Sequence, residues 1–179
     1  VARYLCAVQE TKVQTVVLMG SNAPDAQHWL QRALDQLPAV AEVLSVSGVY
    51  ASPAWGFDGP DFRNAAVMLR TDHSPQEVLR GLLALEAHLG RIRNAQGPRY
   101  TSRTIDLDLL TWADAVVDEP DLQIPHPRLA DRRFALLPLQ ELVPNWLTPV
   151  GRDSIGTLLE RCVDNNCVTL TPEKLIRSS

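Results

Sequence analysis

The sequence predicts an α+β fold: a ferredoxin-like βαββαβ sandwich, an antiparallel sheet with helices packed on it, plus a C-terminal helical extension. Three observations lead there. Strand and helix patterns alternate as strand, helix, strand, strand, helix, strand over residues 15–112. Two amphipathic stretches carry their apolar residues at helical spacing. The last strand, in Arg103-Thr-Ile-Asp-Leu-Asp-Leu-Leu110, alternates so strictly that its two aspartates share one face.

Thr15-Val-Val-Leu-Met19 reads as a buried strand, ended by Gly20-Ser-Asn22. Residues 24–37 read as a helix with Pro24 in its first turn and Trp29, Leu30, Ala33, Leu34 and Leu37 on one face. Val40 to Tyr50 is β-rich and alternating, one long strand. Ser52 to Pro60 is a loop dense in Gly, Pro and aromatics. Phe62 to Leu69 is a strand. Ser74-Pro75-Gln-Glu77 supplies N-cap, first-turn proline and capping-box acid in order. The helix it starts carries Val78, Leu82, Leu85 and Leu89 and stops at Gly90. Residues 91–103 form a basic loop, and 105–112 the aspartate strand. A strand pair around 115–124 and short helices near 127–134, 136–142 and 154–163 complete the pass. Helices on one face of the sheet leave the other open to ligands and loops. The organisation expected is an N-terminal extension at 1–14, one domain at 15–164 and a tail at 165–179.

The chain has 179 residues, 45% apolar and 21% charged, ordinary for a globular protein that buries a substantial core. A net charge of −4 argues against a general attraction to nucleic acid. Cys6, Cys162 and Cys167 have neither zinc spacing nor a disulfide pattern, and predict a reducing, cytoplasmic setting. No apolar stretch has the length of a membrane span. A monomer acting on small molecules is expected.

The aspartates carry the chemistry. Asp106 and Asp108 point one way while Ile105, Leu107 and Leu109 enter the core. Adjacent carboxylates repel unless a cation lies between them. Arg91, Arg93, Arg99 and Arg103 precede them with no acid in between. Oxygen ligands beside guanidiniums suit magnesium with a nucleotide, and side chains at i and i+2 can bridge two ions. The plain alternative is a solvated strand face and a solvated basic loop. Arg103 has two roles open, phosphate contact or pairing with Asp106. His126 lies between prolines in Ile124-Pro-His-Pro-Arg128, which fixes its backbone; it is a structural hydrogen-bonding residue or a donor to phosphate. Arg132 and Arg133 extend the basic surface. Phe62 and Asn64 share a strand face after a loop holding Trp55 and Phe57, which suits stacking and edge hydrogen bonds on a flat heterocycle; Phe134 supplies a second wall. The plain reading of Phe62 is core. Neither a phosphate loop nor a dinucleotide fingerprint is present, so side chains must hold any nucleotide.

These pieces resemble the 6-hydroxymethyl-7,8-dihydropterin pyrophosphokinase family. The likeness runs from about Val16 to Pro144 through Gly20-Ser-Asn22, Tyr50-Ala-Ser-Pro53, Asp61-Phe-Arg-Asn64, Glu86 with Gly90-Arg-Ile-Arg93, Arg103-Thr-Ile-Asp-Leu-Asp108, and Ile124-Pro-His-Pro-Arg128 with Arg132 and Phe134. The resemblance implies transfer of the terminal diphosphate of ATP to the hydroxymethyl group of a reduced pterin, with AMP released. It implies two magnesium ions on Asp106 and Asp108, and ATP on Glu86, Arg91, Arg93, Arg103, His126 and Arg132. The catalytic set is Arg91, Arg93, Asp106 and Asp108. The pterin is implied between Phe62 and Phe134, with Asn64 and the Ser52, Pro53 and Trp55 segment at its edge. The loops near 51–61 and 91–103 are implied lids. Tyr100-Thr-Ser-Arg103 departs from the family's usual Trp-Gly-Pro-Arg, and Ala54-Trp55 from its usual pair. Two rival classes are a non-catalytic ferredoxin-like ligand-binding module and a magnesium-dependent nucleotidyltransferase that releases pyrophosphate.

Overall fold

A computed structural model describes residues 12–54, 58–91 and 104–177. Trp55, Phe57, Arg93, Arg99, Arg103 and Cys6, with most of the 1–14 extension, lie outside the described residues.

The first strand, β1 (Val13–Ser21), is buried from Thr15 onward. Helix α1 spans Ala26–Gln36 and a 3₁₀ turn follows at Leu37–Ala39. Pro24 sits before the helix rather than in its first turn, because Asp25 takes the left-handed conformation (φ 58°) at the N-cap. The long strand expected over 40–50 is two strands, β2 (Glu42–Val46) and β3 (Tyr50–Ser52). Ser47 interrupts them. Its hydroxyl accepts the Ala66 N–H at 2.9 Å and donates to the Gly48 carbonyl at 2.8 Å, replacing ladder bonds. Strand β4 (Phe62–Thr71) pairs with both pieces. Helix α2 (Pro75–His88) has the capping box as expected: Ser74 and Glu77 satisfy each other's backbone N–H groups. Strand β5 (Asp106–Trp112), the hairpin β6 (Val117–Glu119) and β7 (Leu122–Ile124), helix α3 (Arg133–Leu142), helix α4 (Ile155–Arg161) and strand β8 (Thr169–Leu170) complete the fold. The helix expected near 127–134 is only a 3₁₀ turn at Leu129–Asp131, and β8 lies in the stretch expected to be tail.

The main sheet is six-stranded in the order β5-β1-β4-β3-β8, with β2 also on β4, and its strand pairings among the described residues are antiparallel. On one face Val17, Met19, Val67, Leu107 and Leu109 pack against α1 and α2. The other face is not open. Val16, Leu18, Ala66 and Leu110 are covered by Leu136 and Leu139 of α3 and Ile155 and Leu158 of α4. The chemistry therefore has only the end of that face beyond α3. Leu136 is fully buried there. Leu136→Ala is expected to cost about 2–5 kcal/mol, read from urea unfolding.

Candidate active site

The register sets the layout. Gly20 of β1 faces Asp106 of β5 on one side and Asn64 of β4 on the other, and Asn64 faces Tyr50 of β3. Asp106 and Asn64 are thus two strands apart, about 10 Å. Between them Gly20 has no side chain; a Cβ there would come within 3.1 Å of the Asn64 amide oxygen and 3.8 Å of the Phe62 ring. The gap separates two half-sites on one sheet face.

The first half-site is built around Arg91. Helix α2 ends at Gly90, whose positive φ (86°) suits glycine. The Gly90 N–H bonds the Ala87 carbonyl at 3.1 Å and the Arg91 N–H bonds the Glu86 carbonyl at 3.0 Å, a Schellman turn. The turn brings the Arg91 guanidinium onto the carboxylates of both Glu86 and Asp106. Glu86 is 1% exposed and also accepts the Leu107 N–H at 2.8 Å. That N–H lies on the free edge of β5, so Glu86 satisfies a donor no strand reaches. Glu86→Ala is expected to cost about 3–5 kcal/mol by leaving the Leu107 N–H without its acceptor and the buried Arg91 guanidinium with one carboxylate in place of two, read from chemical denaturation.

Asp108 receives a hydrogen bond from Arg132 Nη1 at 3.1 Å. Its side chain keeps 30% of its surface open. Burial, then the neighbouring charge of Asp106, push its carboxyl up to about 6, against the pull of Arg132. Arg132 is the N-cap residue of α3, and its guanidinium lies 5.7 Å from the Phe134 ring centre. Its Nε–H is buried without an acceptor among the described residues, as is the Thr104 hydroxyl. Arg133 does not extend the basic surface. Its N–H, Nε and Nη2 bond Asp164 and the Leu159 carbonyl, tying α3 to the chain around α4.

His126 donates its backbone N–H to the Leu110 carbonyl at 2.9 Å, which fixes it beside β5. Its Nδ1 accepts the Arg128 N–H at 3.1 Å, so the neutral ring carries its proton on Nε2. Burial and then the charges of Arg132 and Arg128 lower it to about 4. A cleft of about 830 Å³ runs from Asp108 and His126 along the β5 edge. Leu79 and Leu83 of α2 line it with Leu122 of β7. The sequence reading missed these leucines. Their signal was two apolar residues four apart, beside the Val78, Leu82, Leu85 stripe rather than within it.

In the second half-site Asn64 is 2% exposed and donates to the Ser52 hydroxyl at 3.0 Å. Phe62 and Ser52 are register partners. Phe134 packs on the α3–α4 core. The structure brings together Glu86, Arg91, Asp106, Asp108, His126 and Arg132 around β5, and Ser52, Phe62 and Asn64 at the β3–β4 end.

A family model for 7,8-dihydro-6-hydroxymethylpterin-pyrophosphokinase matches residues 16–144. The chain belongs to this family. The match spans both half-sites, from β1 to the end of α3. Relatives named 2-amino-4-hydroxy-6-hydroxymethyldihydropteridine pyrophosphokinase include one from Synechocystis, 39% identical over 88% of this chain and 78% of its own length. One from Pseudomonas aeruginosa is 36% identical over 82% of this chain and 90% of its own. The crystal structure of wild-type Plasmodium falciparum HPPK-DHPS is similar in fold, with a TM-score of 0.67 at 14% identity. That likeness covers 84% of this chain but 45% of the Plasmodium chain, so this chain spans under half of it. Among the described residues no helix is long and apolar enough to cross a membrane, and Cys162 and Cys167 are free thiols.

The shifts of His126 and Asp108 have opposite linkage. His126, lowered, makes the native state bind fewer protons than the unfolded chain between pH 4 and 6.5, so its contribution to stability rises with pH there and is lost on acidification. Asp108, raised from 3.8, makes the native state bind more protons between pH 4 and 6, so its contribution falls as pH rises. His126→Gln is expected to remove only the first. The stability of the native chain relative to the variant should then grow from pH 4.5 to 6.5, measured by urea unfolding at both.

Proposed function

We propose that the protein transfers the diphosphate of ATP to the hydroxymethyl group of 6-hydroxymethyl-7,8-dihydropterin. The products are AMP and the pterin diphosphate, a step of tetrahydrofolate biosynthesis. Membership of the pyrophosphokinase family supports this over a ligand-binding module or a nucleotidyltransferase. The observation that carries the reading is Asp106 and Asp108 on one face of β5, each held by a guanidinium, across the Gly20 gap from Asn64.

We read the strand order as a ferredoxin-like sandwich with α3 and α4 as the added helical layer. Residues 15–164 form the catalytic domain, flanked by an extension and a tail. It acts as a cytoplasmic monomer on small molecules, without nucleic acid or membrane.

The base of ATP lies against the leucines of the mixed polar and apolar cleft, Leu79, Leu83 and Leu122, where burial of a flat ring is favourable. Its phosphates then reach Arg91, Arg132 and His126. The Nε–H of Arg132, without an acceptor among the described residues, is available to a phosphate oxygen. His126, neutral with its proton on Nε2, donates and does not act as a base. Glu86 orients Arg91. Arg93 and Arg103 belong to the same reading, as ATP contacts from the 91–103 lid. The pterin stacks on Phe62 and Phe134, with Asn64, Ser52, Pro53 and Trp55 at its edge.

Asp106 and Asp108 fit magnesium. Among the described residues three carboxylates, Glu86, Asp106 and Asp108, pair with two guanidiniums, Arg91 and Arg132, so this group of five side chains has one more negative charge than positive. No three His, Cys, Asp or Glu form a ready cage among the described residues. Magnesium needs only one or two carboxylates when phosphates supply the rest. Two such ions held by Asp106 and Asp108 would supply neutralisation of phosphate charge and a lowered pKa for the incoming hydroxyl. Arg91 and Arg132 hold the diphosphate in line with the pterin hydroxyl across the gap. The bond from that oxygen to the β-phosphorus forms as the bond from the β-phosphorus to the oxygen shared with the α-phosphate breaks; AMP leaves with that oxygen, and the hydroxyl proton goes to solvent or a phosphate oxygen.

Incubation with ATP, magnesium and the hydroxymethyl dihydropterin should give AMP and pterin diphosphate in equal amounts. Pyrophosphate would indicate a nucleotidyltransferase, and no turnover a binding module. Asp108→Ala should lower turnover by about 10²-fold or more with an unchanged circular dichroism spectrum; near-normal rates would refute the metal assignment.

A further inference from the structure

Residues 165–177 lie beyond the family match at 16–144, and no step above uses them. They form a strap with a defined path. Thr169 and Leu170 pair with Ala51 and Tyr50 of β3. Thr171 donates its N–H and hydroxyl to the Val49 carbonyl at 2.8 and 3.0 Å. Glu173 accepts Arg63 Nε at 3.0 Å. Gln27 of α1 donates to the Lys174 carbonyl at 2.7 Å, and Gln31 exchanges two bonds with Ile176 at 2.8 and 2.9 Å. Leu175 packs on the main core, and Arg177 reaches the carbonyls of Val43 and Leu44.

The grip falls at two informative places. Ala51 directly precedes Ser52. Arg63 stands between Phe62 and Asn64, and its side chain points to the opposite sheet face. The strap thus holds both strands next to the Ser52–Asn64 hydrogen bond, from behind. An ion pair with side chains 30% and 33% exposed adds little to stability.

We infer that the C-terminal segment is a clamp on the pterin wall: β8 on β3 and Glu173 on Arg63 set the spacing of β3 and β4, and so contribute to pterin affinity without touching the pterin. Arg63 and Glu173 are positioning residues. The inference rests on the assignment of Phe62, Asn64 and Ser52 to the pterin.

The test compares Arg63→Glu, Glu173→Lys, the exchanged double variant, and a chain ending at Val168, with Phe62→Ala as reference. KM for the pterin and for ATP are measured separately, with the thermal midpoint. Each single variant should raise pterin KM roughly three- to tenfold, with ATP KM and midpoint nearly unchanged. The exchanged pair should return pterin KM towards its native value, and the shortened chain should exceed either single variant. The clamp is overturned if Phe62→Ala raises pterin KM while the single variants do not; the wall assignment then stands alone. It is also overturned if both KM values rise together as the midpoint falls. An unchanged pterin KM in Phe62→Ala sinks the wall assignment, and the clamp with it.

Discussion

The carboxylate of Glu86 is the contact on which the site depends. It meets the Arg91 guanidinium and the Leu107 N–H from a position 1% exposed. One group thereby fastens the end of α2 to the free edge of β5 and aims a cation at Asp106. Helix geometry makes this possible, since a Schellman turn returns the chain so that Arg91 lies over the residue five before it. The sequence Glu86 to Arg91 is one mechanical part. Without it the Leu107 N–H on the free edge of β5 would lose its acceptor and Arg91 its anchor beside Asp106.

A second constraint is the register across β1. Gly20 aligns with Asp106 and Asn64, and glycine is the residue that leaves the space between them empty. Covering the rest of that sheet face with α3 and α4 confines the open region to its end. The same covering delivers chemistry. Arg132 is where α3 begins, and His126 is pinned to β5 by the Leu110 carbonyl. Packing and site assembly are one event here, because the helix that buries Leu18 and Ala66 also sets the cation opposite Asp108.

Much of this was legible in the chain. The alternation at 105–109 fixed the facing of both aspartates without any partner strand, since period two is a property of the strand alone. Ser74 to Glu77 announced a helix start through local hydrogen bonds. What was misread depended on distant chain. The break at Ser47 answers to Ala66, nineteen residues on, and Arg133 is taken up by Asp164. The covered second face had a local sign that was underused. Val16 to Met19 is apolar at every position, the mark of a strand buried on both sides. The strand β8 left almost none: two exposed residues with no periodicity to read.

The electrostatics of the first half-site argue that the fold carries a cost there on purpose. Among the described residues three carboxylates share two guanidiniums, Asp108 is raised to about 6, and Arg132 keeps a buried donor unsatisfied. A half-satisfied polar network is worse for stability than an apolar one. The deficits are complementary. The excess negative charge asks for a cation, and the spare donor asks for an anion. A metal–triphosphate complex brings both at once, so binding it would relieve in one step what neither ion alone could. The neutral state of His126 belongs to the same logic, for a third cation beside Arg128 and Arg132 would have to be paid in burial before any phosphate arrived.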